Sequence, residues 1–171
     1  ISGNNFNGAN LSKLFYGCAE LNSANISGSV FSNADISNMF YGCAALANID
    51  LSNADLENSN LSSMFEGCTG LTFVDMSGAN LSNATISNIF KGCSSLETAN
   101  LANLTIYNTP MSGLFNGCGQ LKTVDISGNN FDGANLSKMF YGCAELTSVN
   151  ISGSVFNNNN ISSMFEGCAS L

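Results

Sequence analysis

The chain has 171 residues, 44% of them apolar, which is enough for one domain with a continuous core. Its net charge is −8, only 9% of its residues are charged, and it contains no His, Arg or Trp. Because the chain lacks a basic patch, we expect neither nucleic acid nor an anionic membrane surface as a partner. No apolar run approaches the roughly 20 residues of a membrane-spanning helix.

The sequence is an internal repeat along its whole length. Seven cysteines are each separated by 25 positions, each follows a glycine, and a phenylalanine lies three residues before each of them. A period of this length predicts a solenoid of stacked units. The cysteines are Cys18, Cys43, Cys68, Cys93, Cys118, Cys143 and Cys168, and the phenylalanines are Phe15, Phe40, Phe65, Phe90, Phe115, Phe140 and Phe165. The predicted units are 1–25, 26–50, 51–75, 76–100, 101–125, 126–150 and 151–171, within a single domain, 1–171.

The first predicted element of a unit is a short helical segment, shown here for the second unit. Four apolar residues of "ISNMFYGCAAL" are spaced i, i+3, i+4 and i+7, as on one side of a helix, and these are Ile36, Met39, Phe40 and Cys43. Ser37 is the expected N-cap. We expect the apolar side to face the core.

A short strand follows the helical segment. In "LANIDLS", the spacing of Leu46, Ile49 and Leu51 predicts residues that alternate between core and solvent. The next stretch, "SNADLENSN", is polar and small, with Leu56 at its centre, and it predicts a loop or an extended connection.

A single unit, with one helical turn and one strand, cannot fold alone, because it buries too little apolar surface to offset the conformational entropy of ordering the chain. Neighbouring units must therefore stack, with strands about 4.8 Å apart and equivalent side chains in ladders. The predicted fold is an α/β solenoid. It is a right-handed coil of seven 25-residue units, each a short parallel strand plus a short helical turn.

A longer period overlies the first. Residues 126–150 match residues 1–25 at all but four positions, which indicates duplication of a five-unit block. We therefore expect the chain to be a segment of a longer array, with ends that lack polar caps. The fifth unit, "LANLTIYNTPMSG", departs most from the others, and Tyr107 and Pro110 indicate a local kink or a recognition spot.

The cysteines suit a structural role better than a chemical one. A zinc site needs converging cysteine pairs or histidines, and a nucleophilic thiolate needs a neighbouring base or cation. Disulfides between adjacent units are conceivable, because a separation of about 5 Å lies within the allowed Cα range, although side chains in register point the same way. We expect a buried, reduced core ladder of cysteines beside the phenylalanines, and no metal, cofactor or catalytic residue.

A polar ladder ends the predicted strands, and it consists of Asn25, Asp50, Asp75, Asn100, Asp125 and Asn150. These side chains should face solvent, and together with Phe73, the aromatic at an outward strand position, they are the candidate binding residues. Asp50 and Asp75, about 5 Å apart, have the spacing of a retaining glycosidase pair, and they are also candidate ligands for calcium or another hard cation. An open strand face offers no pocket that would shift a pKa, so a solvated ladder is the favoured interpretation.

Nine N-x-S/T sequons are candidate glycosylation sites in a secreted protein. Many of them are expected by chance in a chain this rich in Asn and Ser. They begin at Asn10, Asn25, Asn60, Asn80, Asn83, Asn103, Asn135, Asn150 and Asn160.

The stretch "MFYGCAALANIDLSNADLENSNLSSMFEGC", Met39 to Cys68, resembles the 25-residue BspA-like leucine-rich repeats of Mycoplasma and Listeria type. The resemblance covers every unit. It implies a leucine-rich-repeat-like solenoid in an extracellular or cell-surface setting, with adhesion as its role. Runs such as "NADIS" and "GANLS" are also similar to pentapeptide repeats, although the unit of this chain is too long for their shorter, four-sided coil.

These observations predict a non-enzymatic surface scaffold. Its strand face would bind a protein or glycan ligand, without cofactors and without nucleic acid. The alternative is a structural protomer that stacks end to end with copies of itself into an extracellular filament. Ice or mineral binding by the regular Ser and Asn ladders is a third hypothesis.

Overall fold

The computed structural model describes residues 2–171. Six three-residue strands form one parallel sheet in chain order, and each strand pairs with the next at a register of one repeat unit, as in Ala24 opposite Ile49 and Ile49 opposite Val74. The strands are β1 Ser23–Asn25, β2 Asn48–Asp50, β3 Phe73–Asp75, β4 Thr98–Asn100, β5 Thr123–Asp125 and β6 Ser148–Asn150. The predicted solenoid of parallel strands is confirmed.

The α/β class and the count of seven strand-plus-helix units are wrong. Residues 2–171 contain no helix, and the six strands bound five complete coils of a β-solenoid. We number the coils by the 25-residue unit that contains them, so that coil four is 76–100, coil five is 101–125 and coil six is 126–150. The segment predicted as helical contains Asn38 at φ 56° and Gly42 at φ 69°. A right-handed helix cannot accommodate positive φ, so the segment folds as consecutive turns.

The turns keep the predicted side chains inside. The amide of Met39 bonds to the carbonyl of Ile36 at 3.3 Å, and that of Cys43 to the carbonyl of Phe40 at 3.1 Å. The amide of Tyr41 closes a further turn on the carbonyl of Asn38 at 3.1 Å. The amides of Phe40 and Gly42 bond to the next coil instead, as from Phe40 to the carbonyl of Met64 at 3.0 Å. Turns closed by i to i+3 bonds reproduce the helical spacing locally, and all four predicted core residues are fully buried.

The stretch predicted as a loop, 52–60, is a further hydrogen-bonded side of the coil. Asp55 bridges Val30 and Asn80 in the neighbouring coils, and Asn53 and Asn58 turn the chain at φ 54° and 56°. Asn populates this left-handed region more readily than other residues with a Cβ, which explains why it recurs at five-residue intervals.

The core is a set of ladders that run along the solenoid. The phenylalanines from Phe15 to Phe165 stack in one column, with ring centroids 5.3 to 5.7 Å apart and planes within 13° of parallel. Within this column the rings from Phe40 to Phe140 are fully buried, whereas Phe165 in the last coil is 40% exposed.

The hydrogen-bond ladder is interrupted at the fifth coil. In the second, third, fourth and seventh units the amide at the position of Pro110 bonds to the preceding coil, as from Asn60 to the carbonyl of Ala34, but proline has no N–H. Before Pro110 the coil bonds to coil four, as from Leu81 to the carbonyl of Thr105. After Pro110 it bonds to coil six, as from Met111 to the carbonyl of Asn135.

The interruption leaves two gaps within the described chain. In the first gap, no backbone bond joins 105–109 to 130–134. In the second gap, the amides of 86–92 make no bond to 110–116. For both gaps the equivalent bonds are present two coils earlier and one coil later. The sequence therefore indicated correctly that the fifth unit is irregular.

Candidate functional site

The cysteines lie in the core next to the phenylalanine column. The Sγ of Cys43 donates a hydrogen bond to the carbonyl of Phe15, in the preceding coil, at 3.1 Å, and Cys68, Cys93, Cys118, Cys143 and Cys168 repeat this contact. All seven are free thiols, including Cys18, which is exposed. The structure places no disulfide between them.

Burial controls the ionisation of these thiols. Desolvation raises the pKa of Cys68 and of Cys118 to about 12, and it also raises the pKa values of Cys93 and Cys143. A thiol in this state is a poor nucleophile and a poor metal ligand. Among residues 2–171, no group of three or more His, Cys, Asp or Glu side chains is placed to hold a metal ion.

We call the outward-facing first and third residues of β1–β6 the strand face. The third residues are the predicted polar ladder, Asn25, Asp50, Asp75, Asn100, Asp125 and Asn150. The four central members are half-buried, and the two end members are exposed. The structure therefore brings the predicted binding residues onto one surface.

The third-position side chains terminate the strands. The Oδ1 of Asp75 accepts bonds from the backbone amide of Ser77 at 2.9 Å and from its Oγ at 2.7 Å, and Asp50 does the same with Ser52. Such Asx-turns hold the corner after each strand. These side chains are thus largely committed to the fold, which the sequence pattern alone did not reveal.

Asp125 shows the electrostatic consequence of this role. Partial burial opposes its ionisation, but hydrogen bonds from Ser127 and from the Nδ2 of Asn150 stabilise the carboxylate and lower its pKa. Asp50 and Asp75 are paired in register, and each uses one oxygen for its Asx-turn. Each carboxylate therefore helps to build the corner after its strand.

The first-position side chains are free to make contacts. They are Ser23, Asn48, Phe73, Thr98, Thr123 and Ser148, and within residues 2–171 none of their polar groups makes a side-chain hydrogen bond. Phe73 is 37% exposed beside the half-buried Thr98. A shallow depression of the strand face contains Phe73, Thr98, Asn100 and Asp125. Sequence analysis identified Phe73 but not the ladder to which it belongs.

The sequon asparagines occur on several sides of the coil. Asn60 and Asn80 are half-buried, and their Nδ2 atoms donate hydrogen bonds to Asp35 and Asp55, respectively. These bonds engage the nitrogen to which a glycan would be attached. Asn103 is exposed in a turn at φ 56°. The other sequon asparagines, Asn10, Asn25, Asn83, Asn135, Asn150 and Asn160, are exposed.

Within residues 2–171, no helix is long and apolar enough to cross a membrane.

Two solved structures share the fold. The structure titled "Crystal structure of TLR13-ssRNA13 complex" matches with a TM-score of 0.63 and 19% identity over 95% of this chain and 22% of that one. A leucine-rich repeat protein from Bacteroides ovatus matches with a TM-score of 0.58 and 20% identity over 98% of this chain and 51% of that one. The chain thus spans about a fifth and a half of these two proteins, and at such identities the likeness shows the fold alone.

A pentapeptide repeat protein from the thylakoid lumen of Arabidopsis thaliana matches with a TM-score of 0.21 and 15% identity, over 87% of this chain and 62% of that chain. A score this low carries no argument about the fold. No curated protein matches the chain. A family model described as "Mycoplasma protein of unknown function, DUF285" matches residues 4–73 and 59–171.

Proposed function

The chain belongs to the DUF285 family of Mycoplasma proteins of unknown function, and from that premise we propose that it is a non-enzymatic scaffold that binds a protein or glycan ligand through its strand face. The observation that carries this proposal is the first-position ladder around Phe73. It presents side chains that the fold does not use, on a regular parallel sheet. Binding surfaces are commonly built from such exposed groups on regular elements.

A non-catalytic role is favoured by the state of the groups that could do chemistry. The buried thiols are bonded to backbone carbonyls and have raised pKa values. The strand-face carboxylates are bonded to the serines of the next corner. Neither set includes a base poised next to a nucleophile.

We assign the scaffold to the cell surface on the basis of its resemblance to BspA-like repeats. Intact cells that express the full-length protein test this assignment. Antibodies raised against residues 2–171 should label unpermeabilised cells, and external protease should remove the signal. Labelling only after permeabilisation would contradict a surface location.

Binding by the strand face is testable with immobilised extracellular-matrix proteins and mucin glycans as probes. The double variant Phe73→Asp, Thr98→Asp should bind roughly tenfold or more weakly to whichever probe binds the wild-type chain. Ser87→Asp, at an exposed position on the turn side of coil four, is the matched control and should bind normally. Equal loss in the control, or retention by the double variant, would refute the strand-face assignment.

A further inference from the structure

The gap between coils five and six is a defined cleft, which we call the interruption cleft, with walls formed by 106–110 and 130–135. Its volume is about 610 Å³. Bonds equivalent to those of the regular coils are missing along it: the amides of Ile106 and Asn108 make no backbone bond to coil six. The cleft is therefore lined by main-chain groups that are paired everywhere else along this side.

Both ends of the cleft are closed. At one end the amide of Leu104 bonds to the Oδ1 of the buried Asn129 at 2.7 Å, and at the other the amide of Met111 bonds to the carbonyl of Asn135 at 3.1 Å. A Cβ added at Gly128 would overlap the Oδ1 of Asn103, so the coils are in contact before the cleft begins. A Cβ added at Gly133, inside the cleft, would meet nothing within 4 Å.

The closed ends restrict what the cleft can hold. A peptide strand inserted between two coils would separate them by about 9.6 Å, twice the normal strand spacing. The bonds of Leu104 and Met111 lie only seven positions apart, one at each end of the cleft. They hold coils five and six at the normal spacing of one strand. The cleft therefore suits a small cyclic ligand better than an inserted strand.

The lining favours a neutral ligand rich in hydroxyl groups. Tyr107 is 72% exposed and offers a flat ring and a phenolic hydroxyl. Asn108, Asn130 and Asp132 line the cleft with amide and carboxylate groups, while no lysine does so. The fold uses one atom of each: the Nδ2 of Asn108 donates to Asn83, the Oδ1 of Asn130 accepts from the amide of Asp132, and the Oδ1 of Asp132 accepts from Asn158. The Oδ1 of Asn108, the Nδ2 of Asn130 and the Oδ2 of Asp132 are left for a ligand. Without a cation the cleft has no charge partner for an anion, and hydroxyls can both donate to the carbonyls and accept from the unpaired N–H groups.

We propose that the interruption cleft is a carbohydrate-binding site for a neutral sugar unit. The apolar face of the sugar ring packs on Tyr107, and its hydroxyls bond to Asn108, Asn130 and the free backbone amides of coil five. Aromatic contact supplies the buried apolar area, and the polar groups fix the orientation, as in other small-ligand sites. This site is separate from the strand face, and it does not depend on the function proposed above.

The test is NMR titration of the chain with cellotetraose, chitotetraose, maltotetraose and mannotetraose. At least one of these sugars should shift the Tyr107 ring and the Ile106 and Asn108 amide signals saturably. Tyr107→Ala should weaken that binding by roughly tenfold or more. Tyr16→Ala, which removes a tyrosine that is 51% exposed at the other end of the chain, should leave it unchanged.

A second variant tests the location without removing an aromatic. Gly133→Asn places an amide in the cleft, and the backbone accepts it because Asn33, Asn58, Asn83, Asn108 and Asn158 adopt φ of 52° to 58° at the same position of other coils. This variant should abolish sugar binding. The matched control is Gly8→Asn, at the same position of the first coil. Absence of binding by all four sugars, or binding that survives both Tyr107→Ala and Gly133→Asn, would overturn the proposal.

Discussion

The Sγ of Cys68 donates a hydrogen bond to the backbone carbonyl of Phe40, one coil earlier, at 3.1 Å. The same contact joins each following cysteine to the phenylalanine of the preceding coil, so the thiols connect adjacent coils inside the core. A thiol that is buried and already donating cannot serve as an accessible nucleophile.

Thiol labelling should therefore be confined to the ends of the chain. With a pKa of about 12, Cys68 and Cys118 have a thiolate fraction near one part in ten thousand at pH 8, and both are buried. Mass spectrometry after iodoacetamide treatment at pH 8 should find Cys18 modified, Cys168 modified slowly and the central five protected. In urea all seven should react. Rapid labelling of Cys93 in the folded chain would contradict the buried ladder.

Each phenylalanine of the column should contribute to the free energy of unfolding in proportion to how deeply its ring is buried. Phe90→Ala removes a fully buried ring stacked on both sides and should lower the free energy of unfolding by about 3–5 kcal/mol. Phe165→Ala removes a ring that is 40% exposed and stacked on one side, so its cost should be smaller. Urea unfolding followed by circular dichroism measures both. Equal losses would contradict the column as the main core element.

If the strand-face carboxylates act by closing Asx-turns, two substitutions of Asp75 should differ in their effect on stability. Asp75→Ala removes both bonds from Ser77 and should destabilise the chain by about 1–2 kcal/mol. Asp75→Asn keeps the accepting oxygen, as Asn100 does for the amide of Ala102, and should be close to neutral. Thermal melting compares the two variants. A large loss with Asp75→Asn would show that charge, rather than the turn, matters at this position.

Acid should weaken the corner after β5 in particular. Because the pKa of Asp125 is lowered in the folded chain, its carboxylate contributes stability above its unfolded pKa, and that contribution is lost as the pH falls through the folded value. The urea midpoint of the wild-type chain should fall more steeply between pH 5 and pH 3 than that of Asp125→Asn. Parallel pH profiles would refute this assignment.

Two asparagines should respond in opposite ways to the same substitution. The Oδ1 of Asn159 is buried without a hydrogen-bond partner, whereas the side chain of Asn129 makes three bonds of 2.7 to 2.9 Å. Asn159→Ser should raise stability by about 1 kcal/mol, because it removes the unpartnered Oδ1. A serine hydroxyl can keep the bond that the Nδ2 of Asn159 donates to the carbonyl of Phe131, as Ser59 does to Phe31. Asn129→Ser should lower stability. Thermal melting measures both variants, and a change of melting temperature in the same direction for both would contradict the hydrogen-bond assignment.

The sequence was sufficient to predict the solenoid, its period and the buried ladders of its central coils. The predicted ladder members Cys18 and Phe165, in the first and last coils, are exposed. The recurrence of Phe40 and Cys43 in every unit requires that equivalent side chains stack, whatever the backbone between them does. The helical segment was wrong because i, i+3 spacing is shared by helices and by consecutive turns. The signal that separates them is the recurrence of Asn at five-residue intervals, as at Asn53 and Asn58, together with the glycine before each cysteine.

The strand face was only partly predictable. Alternation along a strand identifies its outward residues, but it does not show which of them are already bonded. The serine two residues after Asp50 and Asp75 carried that information, since a D-x-S sequence can close an Asx-turn. The interruption cleft required coordinates, because Pro110 predicts a missing bond but not which neighbouring coil the chain will follow afterwards.

The change of hydrogen-bonding neighbour at Pro110 has a mechanical consequence for the rod. Over 105–109, before Pro110, the fifth coil lacks its bonds to coil six, and over 110–116 it lacks those to coil four. The parallel sheet and the phenylalanine column continue through this coil without a break. We expect bending stiffness to be lowest at this coil. The four coils before it and the coils after it can then tilt relative to each other, so the strand face can adjust its curvature to a bound surface without losing a strand pair.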